Sequence, residues 1–152
     1  MSSKPKITRA CINPPGKDTR DRYNEEWVEL EVGSASDLSG YVVDHLIDPR
    51  TKRQAWSTYY RFGDGESFSA GARVVIHSGA GEDRGDGNVF HRFVAKDEER
   101  GQWRLNNDGD SVRMLDPDGT KVDEKAFTGG EGYCSGKDGG AGPQKKPQTQ
   151  YA

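Results

Sequence analysis

The sequence predicts an all-β chain, two sheets packed face to face over one core, and three observations predict it. Apolar residues come in short runs of period two: Val28, Leu30 and Val32 alternate with Trp27, Glu29 and Glu31, the pattern of a strand whose two sides meet different surroundings. Clusters of Gly, Asn, Asp and Pro separate the runs, and the 20 glycines and seven prolines supply the frequent turns that short strands need. No long stretch holds a clean helical period, so no helix is expected to cover a sheet. The apolar faces must then meet one another in a sandwich or a closed barrel, and the sandwich is the expectation.

Eight strands are expected in order. Lys6–Asn13 runs into the NPPG turn, and Asn24–Val32 is read as a strand with one wet side, its carboxylates facing water. Before Gly40–Leu46, Leu38 is read as a loop residue plugged into the core, with Gly40 permitting the sharp turn into the strand. Ser57–Phe62 follows the loop Asp48–Trp56, and Ala72–Ser78 follows FSAG at Phe68–Gly71. Asn88–Val94 comes after the loop Gly79–Gly87. Asp110–Asp116 emerges from an Asn106–Asp110 turn, with Trp103 as an apolar anchor ahead of it. DPDG closes the hairpin to Thr120–Phe127: Pro117 presets φ, the Asp side chains bond nearby N–H groups, and Gly119 takes the positive φ.

From Thr128 the composition turns to Gly, Lys, Gln and Pro with few apolar residues, too few to offset the entropy of ordering them. Residues 1–127 are therefore read as one folded domain and residues 128–152 as a flexible, disordered tail.

The formal net charge is −3, from 25 acidic against 22 basic residues, so non-specific attraction to a phosphate backbone is not the default. Cys11 and Cys134 are the two cysteines; their separation spells neither a zinc site nor a disulfide framework, and whether they pair stays open. With no apolar leader and no run of about 20 apolar residues, the reading favours a soluble, cytoplasmic chain over a secreted one. Oligomeric state is not read.

The order of NPPG at Asn13–Gly16, NEEWVEL at Asn24–Leu30, DLSGY at Asp37–Tyr41, FSAG, WRLNNDGDSVRML at Trp103–Leu115 and DPDGTKVD at Asp116–Asp123 resembles the lamin tail domain. That is the immunoglobulin-like module at the C-terminus of nuclear lamins and in many bacterial and archaeal proteins. The resemblance runs from about Ile7 to Phe127. It implies an immunoglobulin-like β-sandwich of about eight strands that serves as a binding or structural module, of the stand-alone prokaryotic type. No heptad repeat accompanies it, so filament assembly is not implied.

His45, His77 and His91, with Asp44, Ser78 or Cys11, are the residue types of a nucleophilic site, but no nucleophile elbow or family cysteine signature is present. Solvated histidines are expected, and no catalytic residue is assigned. The acidic groups Glu82, Asp83, Asp86 and Asp108, Asp110, Asp116, Asp118 do not follow a calcium-loop spacing; no metal and no cofactor is assigned. Arg84–Gly85–Asp86 spells RGD in a Gly-rich loop, a match short enough to arise by chance. The best partner surface is Arg50, Lys52, Arg53 and Trp56, cations followed by an aromatic, although Trp56, Tyr59 and Tyr60 packing inside the sandwich is the simpler reading. A protein partner is expected; nucleic-acid binding through this loop and Lys137, Lys145 and Lys146 of the tail is the alternative.

Overall fold

The structure is a computed structural model, described here for residues 4–12, 20–34, 37–46, 55–95, 104–105 and 109–128. The chain runs β1 (Lys6–Cys11), a 3-10 helix (Arg20–Glu25), β2 (Trp27–Glu31), β3 (Val42–Leu46), β4 (Trp56–Arg61), β5 (Arg73–Ala80), β6 (Arg84–Asp86), β7 (Val89–Ala95), β8 (Gly109–Leu115) and β9 (Lys121–Thr128). One sheet has the order β1-β2-β5-β7-β6 and the other β4-β3-β8-β9. The sandwich predicted from alternation is present, and the eight expected strands lie within a few residues of their expected bounds.

Two elements were not foreseen. RGD is not a free loop but the short strand β6, paired antiparallel with β7. Because β7 returns between β5 and β6, it lies parallel to β5, and every other neighbouring pair is antiparallel. The second is the 3-10 helix, which takes Asn24 and Glu25 out of the expected second strand. The Asn24 side chain clamps β5: Oδ1 accepts from Gly79 N–H at 2.8 Å and Nδ2 donates to the Ala80 carbonyl at 2.8 Å. Gly79 allows this approach, since a Cβ there would stand 2.5 Å from Asn24 Oδ1.

The core lies between the sheets. Val28, Leu30, Val74 and Ile76 face Val43, Tyr59, Val112, Met114 and Phe127, and each fully buried aliphatic or aromatic side chain contributes roughly 1.5–3 kcal/mol. Leu38 is fully buried as expected, and Gly40 turns behind it at φ 80°. DPDG is the hairpin turn foreseen: Asp116 Oδ1 accepts from Asp118 and Thr120 N–H, and Gly119 has φ 86°.

The wet side of the second strand is a correction. Trp27 and Glu29, on the outer face of the five-stranded sheet, are 2% and 3% exposed. Arg9 holds the Glu29 carboxylate with two hydrogen bonds, at 2.7 and 3.0 Å, and lies over the Trp27 ring. Alternation fixed which residues share a side but not that this side is covered. On the same face Cys11, fully buried against Trp27 and Val75, is engaged in a disulfide, which the spacing had left open. Thr128, the first residue of the expected tail 128–152, ends β9; Cys134 and the rest of that tail lie outside the described residues.

Candidate interaction surface and the polar cluster beneath it

Of the four residues expected to form a partner surface, Arg50, Lys52 and Arg53 lie outside the described residues. Trp56 opens β4, opposite Leu46 of β3. Its placement corrects the simpler reading in part. Tyr59 does enter the core, donating to the Ile76 carbonyl at 2.8 Å, and Tyr60 packs half-buried, edge-on to Phe62. Trp56 instead lies on the outer face of the four-stranded sheet. Val112 and Met114 of β8 point into the core, so Arg113 between them points out, and its guanidinium sits 4.3 Å from the Trp56 ring centroid. Asp44, opposite Arg113 in register, accepts from its Nε at 3.0 Å. Trp56 and Tyr59, three residues apart on β4, point to opposite sides by alternation, and the β-bulge lies beyond them, where Asp44 meets Thr58 but Val43 meets Tyr60.

The described part of this face carries Arg61, Arg113 and Lys121 against Asp44 and Glu124, the last paired with Lys121 at 3.0 Å. Three cations against two carboxylates leave it slightly positive. A half-buried indole stacked by a guanidinium is a common composition of protein contact sites, with Trp and Arg enriched where partners bind.

Directly inside this end of the sandwich is a buried polar cluster that the motif search missed. Glu26 Oε1 accepts from Ser78 Oγ at 2.6 Å, from Arg104 N–H at 2.7 Å and from Leu105 N–H at 3.0 Å. Its Oε2 is buried without a hydrogen-bond partner. Burial pushes the carboxyl up to about 8, against the lowering effect of those donors. The Tyr59 hydroxyl lies 2.9 Å from Ser78 Oγ, and burial holds it well above the ordinary phenol range. Asp110, expected where the Asn106–Asp110 turn passes into the strand, is buried in β8, where Oδ1 accepts from Leu46 N–H at 3.2 Å and Oδ2 lies 3.4 Å from His45 Nδ1. The signal for Glu26 was present: in NEEWVEL it falls on the same side as Val28 and Leu30, which makes it an inward carboxylate.

The histidines are not the solvated group expected. His45 points inward, edge-on to Tyr59. His77 is 1% exposed on the outer face of the other sheet, and burial pushes it down to about 3, so it is neutral. Its Nδ1 lies 2.8 Å from the Asn24 carbonyl, which only accepts, so Nδ1 carries the proton. Nε2 then accepts from His91 Nδ1 at 2.9 Å, leaving the lone pair of His91 on Nε2. Asp44 and His45, adjacent in sequence, point to opposite sides of β3. Ser78 Oγ is enclosed between Glu26 and Tyr59, and Cys11 is held in its disulfide, so the structure does not assemble these candidates into a nucleophilic site.

Glu82, Asp83 and Asp86 are exposed, Asp83 lying 3.6 Å from Arg92, and Asp116 is spent on its turn. Among the described residues no three His, Cys, Asp or Glu are grouped to hold a metal ion, and no helix is long and apolar enough to cross a membrane. Arg84 of the RGD strand lies over the Phe93 ring. Asp108, Lys137, Lys145 and Lys146 lie outside the described residues.

No curated protein matches the chain. The family model for the lamin tail domain matches residues 2–129, which spans every strand described above. The motifs in their order, the two-sheet topology and this match agree, and the chain belongs to the lamin tail domain family.

Proposed function

We propose that this domain is a protein-interaction module whose contact surface is the outer face of the four-stranded sheet at Trp56, with Arg50, Lys52 and Arg53, just before it in sequence, as further contact residues. The observation that carries the reading is the Trp56–Arg113 stack: a large aromatic kept out of the core and held in place by a cation, on a face with more cations than carboxylates. Such a face favours a partner segment that is acidic and carries apolar side chains. The family supports a non-catalytic role.

The test compares proteins crosslinked to the wild-type domain and to its Trp56→Ala variant, identified by mass spectrometry. A protein held by the first and lost by the second is the expected result; identical sets would sink the reading. Nucleic-acid binding through the same loop and the basic tail is the second reading, supported by the same pairing of cations with an aromatic. It predicts retardation of duplex or single-stranded DNA that weakens steeply with salt, and absence of retardation at low salt removes it. A cytoplasmic setting, expected from the sequence, requires the Cys11 disulfide to persist against cellular reductants; thiol labelling in intact cells decides between that and an oxidising compartment.

A further inference from the structure

The two long margins of the sandwich are built differently. At one of them β1 and β9, the last strands of their sheets, come together, and Ile7 N–H donates to Asp123 Oδ2 at 2.7 Å. At the other, β4 ends one sheet, while β6 ends the second but stops at Arg84, opposite His91. Among the described residues no strand lies beyond positions 92–95 of β7 on that side. Between them and β4 lies a cleft of about 420 Å³, lined by Tyr60, Arg61, Glu66, Asp83 and Val94.

β4 brings an open edge to this cleft. Phe62 N–H donates to the Tyr41 carbonyl at 2.9 Å, and the Phe62 carbonyl accepts from Gly40 N–H at 3.0 Å, so both backbone groups of Phe62 point toward the β3 side. Successive residues of an extended chain aim these groups to opposite sides, and the N–H and C=O of Arg61 therefore point away from β3. The Arg61 side chain goes to the outer face with Val42, its partner in register. Because the register skips Tyr59 between Thr58 and Tyr60, both tyrosines turn inward, Tyr59 into the core and Tyr60 at its margin.

The cleft is also charged. Glu66 and Asp83 share one cation: Arg92 Nε donates to Glu66 at 2.9 Å and lies 3.6 Å from Asp83. Asp64 and Glu82, close to them in sequence, are exposed. Two carboxylates against one guanidinium leave the opening negative. Burial, and then these two carboxylates, hold the Tyr60 hydroxyl above the ordinary phenol range, so it stays a neutral hydrogen-bonding group beside them.

We propose that the β4 edge at Arg61 takes a basic, extended peptide from a protein partner, which adds as a strand beside β4 and sets a lysine or arginine between Glu66 and Asp83. In antiparallel pairing the peptide residue opposite Arg61 exchanges two main-chain hydrogen bonds with it and shares its outer side, and the flanking side chains point into the cleft. The main-chain bonds give affinity whatever the sequence; the carboxylates select the charge. This edge is separate from the Trp56 face, and the inference does not rest on that reading.

The experiment titrates the isotope-labelled full chain with a hexapeptide of alternating lysine and valine, followed by amide NMR and hydrogen exchange. A glutamate–valine hexapeptide and a fully N-methylated lysine–valine hexapeptide are run beside it. Saturable shifts at Arg61, Tyr60 and Val94 and slower exchange of the Arg61 amide are expected with the first peptide alone. Combining Glu66→Gln with Asp83→Asn is expected to weaken its binding about tenfold. No saturable shift at Arg61, equal affinity for either control peptide, or unchanged affinity in the double variant overturns the proposal. Should the double variant not fold, Asp83→Asn alone, at an exposed position, is expected to weaken binding about threefold, and an unchanged affinity there overturns it as well.

Discussion

The Arg113 guanidinium lies 4.3 Å from the centroid of the Trp56 ring while its Nε donates to Asp44. One side chain thus holds an aromatic in place and neutralises a carboxylate that is only 5% exposed. Arg113→Ala removes both. The expected cost is roughly 1–2 kcal/mol, most of it from leaving Asp44 without its partner, since a partly exposed ion pair contributes little by itself. Urea unfolding measures it, and Trp56 becomes more accessible to acrylamide quenching. An unchanged quenching profile would mean that the stack does not shield the indole.

Two buried groups set opposite limits on stability with pH. Glu26 is raised from 4.5 to about 8 in the fold, so the stability it brings is complete below 4.5 and declines as pH rises to about 8. His77 is lowered from 6.5 to about 3, so its contribution is complete above 6.5 and declines as pH falls toward 3. The two slopes cancel between 4.5 and 6.5. Stability is therefore expected to form a plateau on the acid side of neutrality and to fall by about 2 kcal/mol on each flank, read from the urea midpoint, since only the part of each window outside the overlap is uncompensated. Glu26→Gln flattens the alkaline flank and lets the His77 slope continue up to about pH 6.5; a curve rising through pH 8 contradicts the assignment.

Gly79→Ala tests the clamp between the 3-10 helix and β5. The added methyl would meet Asn24 Oδ1 at 2.5 Å and Tyr23 Cβ at 2.9 Å, so the Asn24 bonds to Gly79 and Ala80 must give way. A loss of roughly 2–3 kcal/mol is expected from thermal or urea unfolding. Gly63→Ala, where a Cβ meets nothing within 4 Å, serves as the control and should stay within about 0.5 kcal/mol.

Reduction with dithiothreitol tests the Cys11 disulfide. Removing such a crosslink costs roughly 2–4 kcal/mol, so the melting temperature should drop in reductant and Cys11→Ser should reproduce the drop without it. A domain equally stable with and without reductant would show the bond to be incidental to folding.

By itself the sequence determined the kind of fold, because period-two alternation and turn chemistry are local. Val28 and Leu30 had to share a side, Gly119 had to turn the last hairpin, and Leu38 had to fill the core. Only the tertiary structure decided which outer sides are covered and which strands meet. Glu29 and His77 were read as solvated and are buried; Trp56 was read as a surface contact with packing inside as the simpler alternative, and it stands on the outer face; β5 and β7 pair in parallel. Each depends on segments far apart in the chain, Arg9 against Glu29, Asn24 against His77, Arg113 against Trp56. Alternation sorts residues into two sides, but what lies against each side is settled by packing and hydrogen bonding between elements whose adjacency no local pattern encodes.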